Sequence, residues 1–450
     1  MSLRISVFGT GYLGATHAAG MAELGHEVVG VDIDPDKIER LSRGEVPFYE
    51  PGLPELLRKH VESGRLRFTT DAAEAAAFAD VHFIGVGTPQ KAGSYAADMT
   101  FVDSVIETLA PLLTRPAVIL GKSTVPVGTA ARLAARVREL APVGADAQLG
   151  WNPEFLREGF AVEDTLRPDR LVIGVDKDRP GRIEAVAREV YADAISRDTP
   201  FLVTDLPTAE LVKVSANAFL ATKISFINAI AEVCEATGAD VAELADAIGH
   251  DARIGRKFLG AGLGFGGGCL PKDIRAFMAR AGELGVDQAL TFLREVDGIN
   301  MRRRSHVIGL VENELAGRLQ GGRVAVLGAA FKPESDDTRD SPALDIAGRL
   351  HLMGADVRVF DPEAMANAAT VWPTLTFADS AAEALKDAEV VVVATEWKEF
   401  RSLDPHAAGE LVAAKVVIDG RNCLPAQDWI GAGWRYIGLG RYAASAAITA

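Results

Sequence analysis

Short apolar runs with the two-residue alternation of β-strands recur along about the first 200 residues, and helical patterns separate them. In the helical segments apolar side chains return every three or four residues, as in the Ala-rich stretch from Thr129 to Leu140. Strands that alternate with amphipathic helices are typical of a parallel sheet with helices on both faces. The predicted strands are Ile5 to Phe8, Val28 to Asp32, His82 to Val86, Val118 to Leu120 and Leu171 to Val175.

A long helical stretch without glycine, from Pro207 to Thr237, interrupts this alternation. Asp205 is placed to cap it and Pro207 suits its first turn. A second strand–helix alternation begins at Arg323 and continues to Asp419. We therefore predict an α/β fold of two doubly wound parallel-sheet domains joined by a central helical domain. The predicted domains are residues 1–204, 205–318 and 319–450.

Charge and composition narrow the possible partners. The 47 basic and 62 acidic side chains of this 450-residue chain leave a formal net charge of −15, which repels nucleic acid and anionic lipid. We expect small-molecule partners instead. No apolar run approaches the roughly 20 residues that span a bilayer, and the chain enters a predicted strand at once, without a signal-peptide pattern. We expect a cytoplasmic protein.

The sequence offers little support for a metal site or a disulfide framework. Cys234, Cys269 and Cys423 are odd in number and far apart. The eight histidines show no metal-ligand spacing, so we expect no metal and assign them to helix caps or the surface.

A glycine-rich loop at the end of the first strand predicts a dinucleotide site. Gly9 to Gly14 has the GxGxxG spacing, follows a strand and precedes an Ala-rich helix. The same spacing recurs at Gly262 to Gly267, but no strand precedes it. Only the first match ends a Rossmann-like strand, where a pyrophosphate can approach the helix N-terminus. Asp32, eighteen residues after Gly14, would bind ribose hydroxyls and repel a 2′-phosphate, which favours NAD over NADP.

The second unusual segment surrounds Cys269. Six glycines within nine positions, from Gly260 to Gly268, make a loop that is costly to order, so we expect a ligand to approach it closely. Pro271 suits the first turn of a helix, which places Cys269 near a helix N-terminus with Lys272 close by. Both features favour a thiolate nucleophile, and Asp273 falls within one helical turn of the sulfur.

These segments, with several others, resemble the UDP-glucose/GDP-mannose dehydrogenase family over nearly the whole chain. The matching motifs are Gly9 to Gly14, Val86 to Pro89, Ser123 to Thr129, Asn152 to Gly159, Pro168 to Arg170, Glu210 to Lys213 with Asn217, Arg253 to Gly255, Gly266 to Asp273, Phe331 to Pro333, Asp336 to Pro342 and Asp419 to Asn422.

The resemblance implies a four-electron oxidation of the sugar C6 alcohol of UDP-glucose to a carboxylate, with two NAD and one water. Cys269 would capture the intermediate aldehyde as a thiohemiacetal and then form a thioester. Lys213 would stabilise the developing oxyanion together with Asn217, one helical turn later. Asp273 and Thr124 would handle a water and its proton, and Glu154 would act as a base during hydrolysis.

The resemblance also implies binding residues and a homodimer, because Arg253 reaches a neighbouring subunit's site in this family. The cofactor side would use Gly9, Gly11, Tyr12, Leu13, Gly14, Asp32, Lys37, Thr88, Thr124, Glu158 and Arg339. The sugar nucleotide, which a UDP-binding C-terminal domain would hold, would contact Glu154, Phe155, Leu156, Lys213, Asn217, Arg253, Phe258, Leu259, Gly260, Gly266, Lys332 and Arg421.

One departure from the family pattern is Gly268, where the family commonly has serine before the cysteine. The nucleophile and Asp273 are retained, so we expect activity. The sequence leaves open a sister enzyme acting on GDP-mannose or a UDP-N-acetylhexosamine, and a non-catalytic NAD or nucleotide-sugar sensor. It also leaves open a single-step dehydrogenase, which would have no use for Cys269.

Overall fold

A computed structural model describes residues 2–179 and 181–441 of the chain. The contacts between residues divide it into two compact units. The first unit holds Met1–Ala216 and Arg275–Gly285, and the second holds Asn217–Ile274 and Val286–Ala450. Residues 442–450, which end the predicted third domain, lie outside the described residues.

The first unit contains an eight-stranded sheet in the order β3-β2-β1-β4-β5-β6-β7-β8. Most of these strands are rich in β-branched or aromatic residues, and buried apolar clusters cover both faces of the sheet. The strands are β1 (Arg4–Phe8), β2 (Glu27–Val31), β3 (Leu66–Thr69), β4 (Val81–Ile84), β5 (Ala117–Gly121), β6 (Ala147–Trp151), β7 (Leu171–Val175) and β8 (Phe201–Asp205). The helices of its first 200 residues are α1 (Tyr12–Glu23), α2 (Pro35–Ser42), α3 (Leu53–Glu62), α4 (Ala72–Phe78), α5 (Thr100–Leu109), α6 (Thr129–Leu140), α7 (Ala161–Leu166), α8 (Ile183–Val190) and α9 (Ala192–Ser196).

All five strands predicted for this region are present, displaced by at most two residues at an end. Pairing is parallel except between β6 and β7, where Trp151 opposes Gly174 in an antiparallel bridge. The loop and short helix α7 between these strands return the chain in the opposite direction. Strand β6, which no prediction covered, matters because it leads directly into the motif from Asn152 to Gly159.

The second unit contains a six-stranded, wholly parallel sheet in the order β11-β10-β9-β12-β13-β14. Both sheets confirm the predicted α/β class. The strands are β9 (Arg323–Leu327), β10 (Asp356–Phe360), β11 (Thr376–Phe377), β12 (Val390–Val393), β13 (Val416–Asp419) and β14 (Arg435–Gly438). The remaining helices are α10 (Leu206–Thr237), α11 (Val241–Gly249), α12 (Leu270–Glu283), α13 (Thr291–Glu314), α14 (Pro342–Leu352), α15 (Met365–Val371), α16 (Ala381–Leu385), α17 (Lys398–Arg401), α18 (Pro405–Gly409) and α19 (Ala426–Gly431).

The longest helix, α10, begins as the sequence predicts. The Asp205 carboxylate accepts a hydrogen bond from the Thr208 amide at 2.8 Å, which caps the helix beside Pro207. By length and average composition alone α10 could cross a membrane, although no uninterrupted apolar run predicts it. The buried core helix of a globular protein meets the same criterion. Here α10 carries Glu210 and Lys213, whose charged side chains are buried within the protein.

Four histidines lie in the interior, so their assignment to caps or the surface was wrong. His17, His26, His60 and His82 are each at most 4% exposed. A neutral imidazole can enter a core when it finds a hydrogen-bond partner; a ring nitrogen of His82 lies 2.7 Å from the Ser6 hydroxyl of the adjacent strand. Burial lowers the pKa of His82 to about 3.

Replacing His82 with glutamine should reduce the loss of stability in acid. The unfolded chain binds a proton at His82 near the ordinary pKa of 6.5, whereas the folded protein does so only near 3. The buried, neutral His82 therefore does not reduce the free energy of unfolding above pH 6.5. Between pH 6.5 and 3 the free energy of unfolding decreases, because only the unfolded chain binds a proton there. Between pH 7 and pH 5, urea denaturation should show a decrease in unfolding free energy about 2 kcal/mol smaller in His82→Gln than in the native protein.

The matched control is His406→Gln, because His406 is exposed. It should keep the native pH dependence. Equal pH dependence in native protein and His82→Gln would contradict the assignment of a neutral, buried His82.

Candidate active site

The predicted nucleotide loop has the backbone geometry that a pyrophosphate requires. Strand β1 ends at Phe8 and α1 begins at Tyr12, so the loop passes directly from strand to helix N-terminus. A Cβ atom added at Gly14 would lie 1.7 Å from the Gly9 carbonyl oxygen, so only glycine permits this close turn. This tight turn is typical of a dinucleotide site, and Gly11 within it is open to solvent.

Asp32 lies at the end of β2 and is joined to this loop. Its carboxylate accepts hydrogen bonds from the Thr10 amide at 2.8 Å and from the Lys37 ammonium at 3.1 Å. Burial alone would raise the pKa of Asp32, but these two donors hold it below its ordinary value. Asp32 is thus ionised, and the structure brings two predicted cofactor residues, Asp32 and Lys37, together.

A carboxylate that the sequence analysis missed connects the nucleotide loop to a distant motif. Glu50 is buried and accepts a hydrogen bond from the Tyr12 hydroxyl. It also accepts from the amides of Gly159 and Ala161, each at 2.7 Å. Burial first, and then Glu50, raise the pKa of Tyr12 well above its ordinary value. Glu50 thereby fixes the backbone next to Glu158.

The predicted threonines lie just beyond the carboxyl ends of β4 and β5. The Thr88 hydroxyl donates to the Thr124 carbonyl at 2.7 Å, which joins the two loops. The loop after Thr124 is held in turn by Glu210, which accepts from the amides of Gly128 at 2.7 Å and Ala130 at 2.6 Å. Ligands in parallel α/β sheets bind at this edge.

An ion pair joins the catalytic candidates of the first unit. The Lys213 ammonium lies 2.9 Å from the Glu154 carboxylate, and the two side chains are 6% and 12% exposed. The Lys213 ammonium also lies 5.8 Å from the centre of the Phe155 ring, and Glu154 accepts from the Leu156 amide at 2.6 Å. An ammonium held beside a carboxylate in a largely buried setting can stabilise a developing negative oxygen.

The second unit holds the candidate nucleophile. Cys269 is exposed and immediately precedes α12, whose first turn is closed by the Asp273 amide donating to the Cys269 carbonyl at 2.9 Å. The Asp273 carboxylate is buried and accepts from the Asn217 amide group at 2.7 Å and from Lys272 at 2.6 Å. The helix start predicted from Pro271 is therefore correct, and Asn217 and Asp273 are brought together near it.

Buried side chains that the sequence analysis did not single out hold the glycine-rich loop. Asn300 accepts from the Phe265 amide at 2.8 Å and donates to the Phe265 carbonyl at 3.0 Å, in the manner of a strand partner. Asn228 accepts from the Gly262 amide at 2.8 Å. Arg421, a predicted substrate residue, donates to the Gly264 carbonyl at 2.9 Å. The loop is thus shaped by amide and guanidinium groups from other segments of its own unit.

The remaining predicted residues of the second unit differ in exposure. Leu259 and Gly266 are buried, whereas Phe258 and Gly260 are exposed. The Lys332 ammonium lies 5.5 Å from the centre of the Phe331 ring. Two arginines pair with nearby aspartates at the surface: Arg253 with Asp251 at 2.6 Å, and Arg339 with Asp337 at 2.7 Å.

Comparisons with known proteins agree with this architecture. The NAD binding domain model of the UDP-glucose/GDP-mannose dehydrogenase family matches residues 3–195. The family's central domain matches residues 207–302 and its UDP binding domain residues 325–426. A UDP-glucose 6-dehydrogenase of Rhizobium meliloti (strain 1021) is 42% identical over 98% of this chain and 100% of the relative.

Further relatives extend the similarity. A UDP-glucose 6-dehydrogenase of Bacillus subtilis (strain 168) is 38% identical, covering 98% of each chain. The solved UDP-glucose dehydrogenase of Pyrobaculum islandicum is 39% identical, with a TM-score of 0.89 over 98% of each chain. These matches confirm the resemblance and the NAD cofactor. The chain therefore belongs to the UDP-glucose/GDP-mannose dehydrogenase family and is an NAD-dependent oxidoreductase.

Proposed function

We propose that this enzyme oxidises the C6 alcohol of UDP-glucose to the carboxylate of UDP-glucuronate, consuming two NAD and one water. The observation that carries the proposal is an exposed Cys269 at the start of α12, one turn before the buried Asp273. A simple alcohol oxidation needs no nucleophile, whereas oxidation to an acid requires a covalent or hydrated aldehyde. The names of the most similar relatives support UDP-glucose as the substrate.

Cys269 acts between the two oxidations. When bound, NAD would supply the hydride acceptor for both oxidations. In the first, C6 loses a hydride and its hydroxyl loses a proton, which leaves an aldehyde. The Cys269 sulfur adds to C6 of this aldehyde, and a proton passes to the aldehyde oxygen to give a thiohemiacetal. Loss of the second hydride and that proton produces a thioester. Water then adds at C6, the C–S bond breaks, and the carboxylate leaves as the thiol is regenerated. Over the whole reaction two NADH and three protons are the other products.

Lys213 and Glu154 provide the charge for these steps. Each addition to C6 places negative charge on the C6 oxygen, and a buried ammonium stabilises that oxygen more strongly than water would. Glu154, paired with Lys213 at 2.9 Å, would take a proton from the hydrolytic water.

Thr124, Asp273 and Asn217 complete the catalytic set. Asp273 keeps Asn217 in one orientation through their 2.7 Å hydrogen bond, so that the Asn217 amide can contact substrate oxygen. Thr124 and the second carboxylate oxygen of Asp273 would position water. Asp32 would accept hydrogen bonds from the adenine ribose, and the backbone amides between Gly9 and Gly14 would face the pyrophosphate.

The enzyme is further proposed to be a cytoplasmic homodimer. Three large apolar side chains recur at seven-residue intervals on α10 and are half exposed or more: Phe219 (67%), Phe226 (50%) and Val233 (56%). Residues spaced in this way lie on one helix face, and such a face is stabilised when a second copy covers it. A reducing compartment keeps the three free cysteines, including Cys269, as thiols.

The NADH yield per sugar tests the two-step reaction. With limiting UDP-glucose, native enzyme should form two NADH per sugar, and Cys269→Ser should lose turnover by about 10³-fold or more because the hydroxyl cannot form the thioester. Cys234→Ala is the control, since it removes a thiol from the interior and should keep two NADH per sugar. One NADH per sugar with an active Cys269→Ser would exclude the covalent route. Turnover with UDP-N-acetylhexosamines or GDP-mannose, but not with UDP-glucose, would identify a sister enzyme of the family.

Asn300→Ala should weaken substrate binding more than catalysis. The substitution leaves the Phe265 amide and carbonyl without their partner, at a cost of about 1–3 kcal/mol per buried group, and the loop loses its shape. We expect the KM for UDP-glucose to rise about tenfold or more, with a smaller change in kcat.

Steady-state kinetics in parallel with Asn313→Ala provide the comparison, because Asn313 is exposed on the same helix, α13. Native KM in Asn300→Ala would show that the clamp on Phe265 does not shape the binding loop.

A further inference from the structure

Glycine at position 268 is not required by the backbone. Its φ angle lies outside the left-handed region, unlike that of the neighbouring Gly267 at +82°. Any residue could therefore adopt the conformation of Gly268. The surroundings of Gly268, not its backbone conformation, therefore favour glycine at this position.

The space beside Gly268 is filled by the end of one side chain. A Cβ atom at Gly268 would lie 2.3 Å from the Arg339 Cζ and 2.5 and 2.6 Å from its two terminal nitrogens. The guanidinium group thus occupies the volume that a serine or alanine side chain would need. Gly268 differs in this respect from Gly266, where the nearest atom is the backbone oxygen of Asp340.

Arg339 is held in this place by several hydrogen bonds. Its guanidinium makes a two-point contact with the Asp337 carboxylate, at 2.8 Å through Nε and 2.7 Å through Nη2. The same carboxylate accepts from the Gly268 amide at 3.3 Å, and the Arg339 carbonyl accepts from the Gly267 amide at 2.8 Å. The arginine and its aspartate therefore lie against the peptide that leads into Cys269.

We propose that the missing side chain of Gly268 seats the Arg339 guanidinium beside the nucleophile, and that this cation holds Cys269 in its reactive thiolate form. Arg339 is a positioning residue in this account, acting on Cys269 through the Gly268 peptide. The inference rests on the proposed role of Cys269 as nucleophile.

Two carboxylates in the segments that flank Cys269, Asp337 and Asp273, are each paired with a cation. Asp337 is paired with Arg339 itself, and Asp273 is paired with Lys272 at 2.6 Å. The N-terminus of α12 adds partial positive charge. Displacing the guanidinium would remove the neighbouring cation and expose the Asp337 anion, and both changes disfavour a thiolate.

The pH dependence of Cys269 alkylation by iodoacetamide tests the proposal. The rate is followed on the Cys269 peptide by mass spectrometry, in full-length protein without NAD or sugar, for native protein, Gly268→Ala, Gly268→Ser and Arg339→Gln. All three variants should move the midpoint upward by half a pH unit or more, which corresponds to about a threefold smaller thiolate fraction below the midpoint. Gly268→Ala combined with Arg339→Gln should shift no further than Arg339→Gln alone.

Two features make the test decisive. The atoms displaced at Gly268 are the end of a flexible side chain, so the variants should fold, which thermal unfolding checks. Gly282→Ala on α12 meets no atom within 4 Å and should keep the native midpoint. A native midpoint in Gly268→Ala, or additive shifts in the double variant, would overturn the proposal. Alkylation needs no turnover, so this result is independent of the NADH yield that tests the overall reaction.

Discussion

Carboxylates withdrawn from water require hydrogen-bond donors, and for Glu50, Glu210 and Asp361 the donors include backbone amides of loops distant in the sequence. Glu50 accepts from Gly159 and Ala161, 109 and 111 residues away. Asp361 in the second unit accepts from the amides of Ala329 and Ala330, at 2.7 and 2.9 Å. If such a carboxylate were removed, several loop amides would lose their hydrogen-bond acceptor at once. The shape of the loop and the ionised state of the carboxylate therefore depend on each other.

The same constraint applies to the buried cation. An ammonium at Lys213 would be costly in the interior without Glu154, and a buried pair of this kind adds little net stability. In the proposed reaction the pair would serve function, because the Lys213 charge would be fixed where an oxygen becomes negative and would need no reorganisation.

The sequence predicted those features that depend on local pattern. Short apolar runs identified five of the eight strands of the first unit but not β3, β6 or β8. Pro271 correctly placed a helix start after Cys269. The sequence did not identify Glu50 or Asn300, because their partners are brought near only by folding and no spacing marks them. The sequence also did not explain Gly268. A glycine in a run of glycines suggests backbone flexibility, whereas in the structure the Arg339 guanidinium fills the space of the missing side chain.

Trapping the covalent intermediate tests the central claim most directly. Glu154→Gln removes the proposed base for hydrolysis but leaves Cys269 and the nucleotide loop intact, so the thioester should accumulate. After brief incubation with UDP-glucose and NAD and an acid quench, peptide mass spectrometry should find a UDP-glucuronyl group on Cys269 in a large fraction of the enzyme. Product release with Cys269 unmodified throughout would contradict a reaction that proceeds through this thiol.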